Sequence, residues 1–270
     1  MRIARFSLPG GDPTFGIVEL EEDDGQFPGT VAAISADPLA GGPVRYTGAR
    51  HDLADVRLLA PVIPRSKIVA MGRNWEAHVK EMGGDHPQTP TVFFKPNTSV
   101  IGPDEAIVKP SECQLLSYEG ELAIVIGRIC RRVPVERAAQ VIFGYTCAND
   151  VTARDLQAVD DQWTRAKGYD TFCPLGPWIV THLEIAEAGS LGIVTTVDGQ
   201  VRQDGTTADM TCSIAEIVAL ASSFATLLPG DVLLTGTPPG VGPMDVGQRV
   251  TVEIDGIGVL ANPVVGEDAA

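Results

Sequence analysis

Residues 117–127 read SYEGELAIVIG, and this stretch decides the fold class. Side chains of a β-strand alternate between two faces, so Glu119 and Glu121 share one face with Ala123 and Val125. The opposite face is formed by Leu, Ile and Ile. Because both faces become apolar, the pattern predicts a buried strand with two carboxylates at its entrance.

The rest of the chain repeats this strand pattern between glycines and prolines. Strand-like runs occur in KIVAMG, TVFFKP, VIFGYTCAN, GPWIVT, GIVTTVDGQVR, DVLLTG and RVTVEIDGIGVLANPVV. Helical patterns are fewer: NWEAHVKEMG, VERAAQVIF, TARDLQAVDDQWTRA and SIAEIVALASSFATLL, the last opening with a capping box formed by Ser213 and Glu216. Eight or more strands with few crossover helices argue against a doubly wound parallel sheet and predict a β-rich α+β fold.

Two regions are predicted along the chain. Residues 1–60 contain short apolar runs separated by GGDP, EEDDGQFPG and LAGGPV, which indicates a small strand-rich N-terminal subdomain. The PVIP stretch at 61–64 is the predicted boundary. Residues 61–270 are then the catalytic domain.

Composition limits the classes of partner. The 270 residues are 44% apolar and carry a net charge of −15, which disfavours binding to nucleic acid and to anionic membranes. An anionic metabolite would also be repelled unless its site supplied local positive charge. The five cysteines form no CxxC pair and predict reduced thiols in the cytoplasm, and no apolar run reaches the ~18 residues of a spanning helix.

Three carboxylates are candidate metal ligands. Two buried like charges at Glu119 and Glu121 are costly without a cation, and oxygen ligands suit Mg²⁺, Mn²⁺ or Ca²⁺ better than zinc. A solvated strand face is the alternative interpretation. Asp150 ends an apolar strand before a helical pattern, where it is a third potential ligand. Helix capping by Asp150 or Thr152 is the better explanation of that position from the local sequence.

A histidine and a glutamate form the candidate base. His78 and Glu81 are three residues apart and share one face of a short helix bracketed by glycines, which suggests a mobile lid; a surface pair is the alternative. TGTPPGVG lacks the spacing of a nucleotide-phosphate loop. Other polar candidates in turns or strand ends are Arg73, Lys95, Gln157, Lys167 and Thr237. A surface charge is the alternative interpretation of Lys167.

Six motifs occur in the order typical of the fumarylacetoacetate hydrolase family, which the chain resembles from about residue 68 to 252. The motifs are GRNWEAHVKE, FFKPNTSVIGP, YEGELAIVIG, GYTCANDVTARDLQ, RAKGYDTFCPLGP and LLTGTPPGVG. The resemblance is to the branch with acylpyruvate hydrolases, oxaloacetate decarboxylases and 2-hydroxyhepta-2,4-diene-1,7-dioate isomerases. Two departures are Trp75, where the family often has Tyr, and Ser117, where it often has Asp.

The resemblance implies a β-rich roll, commonly a homodimer, and a role for each candidate residue. Glu119, Glu121 and Asp150 would bind Mg²⁺ or Mn²⁺, and His78 with Glu81 would activate water. Lys167 would act in catalysis within the substrate pocket. Substrate-binding roles would fall to Arg73, Lys95, Gln157 and Thr237.

The implied reaction is metal-dependent cleavage of a C–C bond in a small 2-oxo acid through a metal-stabilised enolate. Hydrolysis of an acylpyruvate such as fumarylpyruvate, or decarboxylation of oxaloacetate, is expected first, with 2-hydroxyhepta-2,4-diene-1,7-dioate isomerisation as the alternative. A third hypothesis is a binding protein without catalysis. The joint presence of three carboxylates and a His–Glu pair argues against it.

Overall fold

Alternating and continuous apolar patterns both form strands. The computed structural model describes residues 1–20, 29–85 and 87–269. In the GIVTTV strand every second side chain is buried, whereas every residue of GELAIVI and CPLGPWIV is buried. The former pattern fits a strand with one covered face, and the latter fits strands covered on both.

The described residues contain strands β1 to β20. Their bounds are β1 Arg2–Ser7, β2 Thr14–Glu19, β3 Thr30–Ile34, β4 Tyr46–Asp52, β5 Arg57–Leu59, β6 Ile68–Gly72, β7 Thr91–Lys95, β8 Val100–Ile101, β9 Ile107–Lys109, β10 Leu116–Tyr118, β11 Gly120–Ile126, β12 Ile142–Asn149, β13 Thr152–Ala153, β14 Cys173–Val180, β15 Gly192–Val197, β16 Gln200–Thr206, β17 Val232–Leu234, β18 Gly242–Pro243, β19 Arg249–Ile254 and β20 Gly258–Gly266.

Helices are short. The α-helices are α1 Glu76–Glu81, α2 Arg154–Val159, α3 Thr164–Gly168, α4 Ile185–Ala188 and α5 Ile214–Phe224, and 3₁₀ turns occupy Pro38–Ala40, Leu53–Asp55, Asn97–Ser99, Val135–Gln140, Thr207–Asp209 and Glu267–Ala269. The predicted capping box of α5 is present, with Ser213 and Glu216 bonded reciprocally. The TARDLQAVDDQWTRA pattern forms two helices, and α4 had no predicted counterpart.

Three sheets organise these strands. The largest has twelve strands in the order β4-β3-β2-β1-β14-β12-β11-β17-β6-β7, with β5 beside β1 and β8 beside β14. A second sheet has the order β16-β15-β19-β20-β9, and a small third sheet has the order β13-β10-β18. Most neighbours are antiparallel, and β17 with β6 is one of the parallel pairs. The β-rich α+β fold is therefore confirmed.

The N-terminal strands are continuous with the large sheet. β1 pairs with β14, so the strands of the first sixty residues extend the sheet that carries β11 and β12. The division at about residue 60 stays a prediction. No helix in the described ranges has the length and apolarity needed to cross a membrane.

Two chain segments cross side by side between the small sheet and the large one, in opposite directions. β10 and β11 are separated only by Glu119 but belong to different sheets. β12 and β13 are likewise in different sheets, with Asp150 and Val151 between them. The backbone N–H of Asp150 donates to the carbonyl of Glu119 over 2.8 Å, so the two crossings lie side by side.

Candidate active site

Three buried carboxylates meet at these crossings. Glu119 and Asp150 lie at the two crossings, and Glu121 is the second residue of β11. One oxygen from each lies within 4.8 Å of the others, and all three residues are buried. Alternation along a strand brings Glu119 and Glu121 together as predicted, although the strand is interrupted at Glu119.

Cations surround two of the three carboxylates. Lys167 Nζ donates to Glu119 Oε2 over 2.7 Å and to Asp150 Oδ2 over 2.6 Å. Arg154 Nη2 donates to Glu119 Oε1 over 2.6 Å, and Lys95 pairs with the other oxygen of Asp150. Glu119 and Asp150 are therefore each held by two cationic side chains.

Glu121 is the exception among the three. It is 2% exposed, and no cationic group of the described residues lies within ion-pair distance of it. One of its oxygens accepts the backbone N–H of Gly236 over 2.7 Å. Burial, together with the charges of Asp150 and Glu119, raises the pKa of Glu121 well above its usual value.

In Glu119 and Lys167, the charges of neighbouring side chains outweigh the effect of burial on the pKa. Burial alone would raise the pKa of Glu119, but Lys167 and Arg154 outweigh it and lower that pKa. Burial would lower the pKa of Lys167, but Asp150 and Glu119 outweigh it and raise that pKa. The cluster therefore holds closely spaced positive and negative charges that shift the pKa values of one another.

The donor set fits a divalent cation. The three carboxylates supply only oxygen ligands, which Mg²⁺ and Mn²⁺ prefer, and an unpaired buried carboxylate such as Glu121 is costly without positive charge. The acidic cluster can therefore bind a metal, with Glu119, Glu121 and Asp150 as the ligands.

The predicted His–Glu pair lies on the helix beside this cluster. His78 Nδ1 is 3.4 Å from Glu81 Oε2 on α1, and His78 is mostly buried. Both oxygens of Glu81 also accept the backbone N–H of Gly240, each over 3.0 Å. Glu81 thus connects His78 to the loop after β17.

A cavity of about 320 Å³ joins these groups. Glu119, Glu121, His78 and Lys167 line it, together with the apolar side chains of Val79 on α1 and of Met82 just after α1. Its volume suits a small metabolite. The remaining predicted residues that line it are Arg73, Gln157 and Thr237.

Several predicted residues bond their neighbours, and some of them lie outside the cavity wall. Thr237 Oγ1 donates to the carbonyl of Gly120 over 2.8 Å, and Gln157 accepts from Arg154 over 2.7 Å. Lys95 does not line the cavity, because it is buried behind Asp150. Glu81 also lies outside the lining.

The alternative interpretations of two residues are wrong. Asp150 does not cap α2: the N-cap residue is Ala153, without a side-chain cap, and the Asp150 carboxylate is engaged by lysines. Lys167 is 1% exposed and is not a surface charge.

One residue of the site had not been singled out. Arg154 lines the cavity and bonds both Glu119 and Gln157. Its spacing of three from Gln157 on a helix was the available signal.

Two known protein families match parts of the chain. Residues 67–265 match the family described as Fumarylacetoacetate (FAA) hydrolase C-terminal. The chain belongs to the fumarylacetoacetate hydrolase family. Residues 1–61 match the Rv2993c-like N-terminal family. Enzymes of this family include isomerases, hydrolases and tautomerases.

Two curated members of the fumarylacetoacetate hydrolase family illustrate the similarity. Protein Rv2993c of Mycobacterium tuberculosis is 48% identical over 98% of each chain. Oxaloacetate tautomerase FAHD2A of Homo sapiens is 37% identical, over 93% of this chain and 84% of the relative.

Solved structures of the family superpose over nearly the whole chain. The 2-hydroxyhepta-2,4-diene-1,7-dioate isomerase from Mycobacterium marinum has a TM-score of 0.89 and 45% identity, covering 99% of both chains. The maleylpyruvate hydrolase from Sphingobium sp. SYK-6, in complex with manganese (II) ion and pyruvate, has a TM-score of 0.78 and 33% identity, covering 98% of this chain and 99% of that one.

Proposed function

We propose that this protein is a metal-dependent enzyme that converts a small 2-oxo acid through its enol or enolate form. The observation that carries the proposal is the buried carboxylate of Glu121, which has no cationic partner among the described residues. It lines a metabolite-sized cavity together with Glu119 and lies beside Asp150, which is outside the lining. The manganese and pyruvate bound by the related maleylpyruvate hydrolase support both the cofactor and the substrate class.

Glu119, Glu121 and Asp150 would hold Mg²⁺ or Mn²⁺. When bound, the cation supplies positive charge that stabilises the enolate oxygen. Lys167 and Arg154 add positive charge at the same end of the cavity, through their contacts with Glu119. The cavity thereby supplies the local cations that an acidic chain needs to bind an anion.

His78 is the proposed base. Its ring lines the cavity, and Glu81 fixes the ring through Nδ1, so that the other nitrogen is free to exchange a proton with substrate or water. Val79 and Met82, on the same segment, cover the cavity with apolar atoms. These side chains would exclude bulk water from the reacting carbon.

The reaction that we place first is a proton shift within the substrate, in which the base removes a proton and a proton is returned to carbon. It interconverts the enol and keto forms of oxaloacetate, or shifts a double bond in a dienoate. The named tautomerase and isomerase relatives, at 37% and 45% identity, support this order. It requires a positioned base and an electrostatically stabilised enolate, which the proposed site supplies.

Cleavage of a C–C bond is the second candidate. The pairing of His78 with Glu81 is what activation of a water needs, and the related maleylpyruvate hydrolase supports hydrolysis of an acylpyruvate. Decarboxylation of oxaloacetate would use the same enolate. The sequence analysis placed cleavage first, and it stays a prediction.

The test is an assay of metal-free, Mg²⁺-loaded and Mn²⁺-loaded protein. Four reactions are compared: tautomerisation of enol-oxaloacetate, oxaloacetate decarboxylation, fumarylpyruvate or acetylpyruvate hydrolysis, and dienoate isomerisation. We expect turnover only with metal, and tautomerisation or isomerisation with the largest kcat/KM. Full turnover after chelation, with negligible metal content, would contradict metal dependence.

Glu121→Gln tests the ligand assignment directly. Removing a side chain that hydrogen-bonds a metal ligand typically lowers metal affinity by about 10–100-fold. Removing a ligand itself should therefore lower the affinity measured by calorimetry on the order of 10²-fold or more. Glu253→Gln, an exposed position on β19, is the matched control and should bind normally. Metal and oxalate binding without turnover of any substrate would instead favour a binding protein.

We also propose a cytoplasmic location. All five cysteines are free in the structure, which supports a reducing compartment.

A further inference from the structure

Arg73 is a cation of the cavity wall that the carboxylate cluster does not use. Arg154 and Lys167, which also line the cavity, are both bonded to Glu119. No carboxylate of the described ranges lies within ion-pair distance of the Arg73 guanidinium. Arg73 therefore has its full hydrogen-bonding capacity for an anion in the cavity.

The backbone holds Arg73 in an unusual conformation. Its φ of 62° is in the left-handed region, which costs an arginine free energy that glycine would not lose. The next residue fixes the turn: the Asn74 amide donates to the carbonyls of Thr235 (2.8 Å) and Cys212 (3.1 Å) and accepts the N–H of Cys212 (2.8 Å). Strain of this kind is common at ligand-binding sites.

Aromatic rings position the side chain away from the proposed metal ligands. The guanidinium lies 5.9 Å from the ring centroid of Trp163, and Trp163 packs edge-on against Phe93 at 5.4 Å. Lys167, which bonds two of those ligands, lies over the far partner, Phe93, at 5.3 Å. A series of contacts through Trp163 and Phe93 thus connects Arg73 to Lys167 at the carboxylate cluster.

Contact with Trp163 leaves the N–H groups of the guanidinium available. A cation–π contact engages the face of the guanidinium and is weak at an exposed residue such as Arg73. The planar edge can still donate two parallel hydrogen bonds to a carboxylate.

We propose that Arg73 binds the distal carboxylate of the substrate, so that the enzyme selects 2-oxo dicarboxylates over neutral 2-oxo acids of the same length. The inference rests on the proposed function, which places the 2-oxo end at Glu119, Glu121 and Asp150. A site that pairs a substrate charge binds the analogue that lacks it less tightly, because the charge-assisted hydrogen bonds to the guanidinium are then not formed.

Binding of matched ligands to the Mn²⁺-loaded protein tests this without turnover. The pairs are 2-oxoglutarate with 2-oxopentanoate, and 2-oxoadipate with 2-oxohexanoate; each pair differs only in the distal carboxylate. By calorimetry, we expect the wild type to bind at least one dicarboxylate on the order of 10²-fold more tightly than its neutral partner.

Three variants test whether the preference for dicarboxylates depends on Arg73. Arg73→Asn removes the charge but tolerates a left-handed φ, and it should reduce the ratio to a few-fold while oxalate still binds. Arg73→Lys should give an intermediate ratio. If Arg73→Asn does not fold, this variant tests the role of Arg73 on its own. Arg132→Asn is the control: Arg132 has φ 52° and lines a different cavity, so the ratio should not change.

The outcomes separate the two proposals. A wild-type ratio in both Arg73 variants, or equal binding of both members of each pair to the wild type, would overturn the role of Arg73 alone. Failure of the Mn²⁺-loaded wild type to bind any of the four acids would overturn the proposed function and this inference together.

Discussion

Both carboxylate oxygens of Glu81 lie 3.0 Å from the backbone nitrogen of Gly240, so α1 is fastened to the loop after β17. The same carboxylate contacts His78. Gly240 has a φ of 98°, and a Cβ there would lie 2.1 Å from the carbonyl oxygen of Arg202. The loop therefore presents this N–H only with glycine at the position.

Two substitutions of Glu81 should separate orientation of His78 from closure of α1. Glu81→Gln keeps an acceptor for Gly240 but loses the charge beside His78, so kcat should fall about 10-fold with oxalate affinity retained. Glu81→Ala loses both contacts, so oxalate should also bind more weakly. Glu76→Gln, an exposed glutamate on the same helix, is the control for both measurements.

His78→Ala should distinguish the candidate reactions. Tautomerisation and acylpyruvate hydrolysis both need a positioned base, so their kcat/KM should fall on the order of 10²-fold or more. Oxaloacetate decarboxylation should fall less, because its enolate forms by loss of CO₂ rather than of a proton. Undiminished tautomerisation and hydrolysis, with normal oxalate binding, would show that His78 is not the base.

Lys167→Met should destabilise the metal-free protein. The substitution leaves Glu119 and Asp150 without their shared ammonium, and breaking a buried ion pair costs about 3–5 kcal/mol of unfolding free energy. Added Mn²⁺ should raise the Tm of the variant more than that of the wild type, since the cation replaces the lost charge. Lys80→Met, at an exposed ion pair, should change neither value appreciably. An unchanged Tm for Lys167→Met in metal-free buffer would contradict the role of this pair.

A homodimer is the expected assembly in solution, as the family resemblance implies. Light scattering should give twice the 28.5 kDa mass of one chain. A monomer mass that does not change with concentration would refute this expectation.

Local patterns predict much of the fold and of the site. Alternation in residues 117–127 places Glu119 next to Glu121, whereas only the family resemblance groups Asp150 with them. Helix α5 follows from its capping box and apolar spacing. These features depend on residues close together in the chain, where side-chain direction is set by the backbone.

Other features depend on partners far apart in sequence. The strand pattern of residues 117–127 is unbroken, but the chain changes sheets at Glu119 because β10 pairs with β13 and β18. Lys95 reaches Asp150 from 55 residues away, so its burial has no local signal. The VERAAQVIF pattern gives only a 3₁₀ turn, Val135–Gln140, because β12 begins at Ile142.

The two crossings between sheets make the geometry of the carboxylate cluster depend on how the two sheets are placed. Glu119 and Asp150 each lie at a junction between the small sheet and the large one, whereas Glu121 belongs to the large sheet. Sliding of one sheet against the other would therefore change the spacing of the three carboxylates. The small sheet also contains β18, two residues beyond Gly240, which holds Glu81. A shift of the small sheet would therefore alter both the spacing of the three carboxylates and the contact that holds α1.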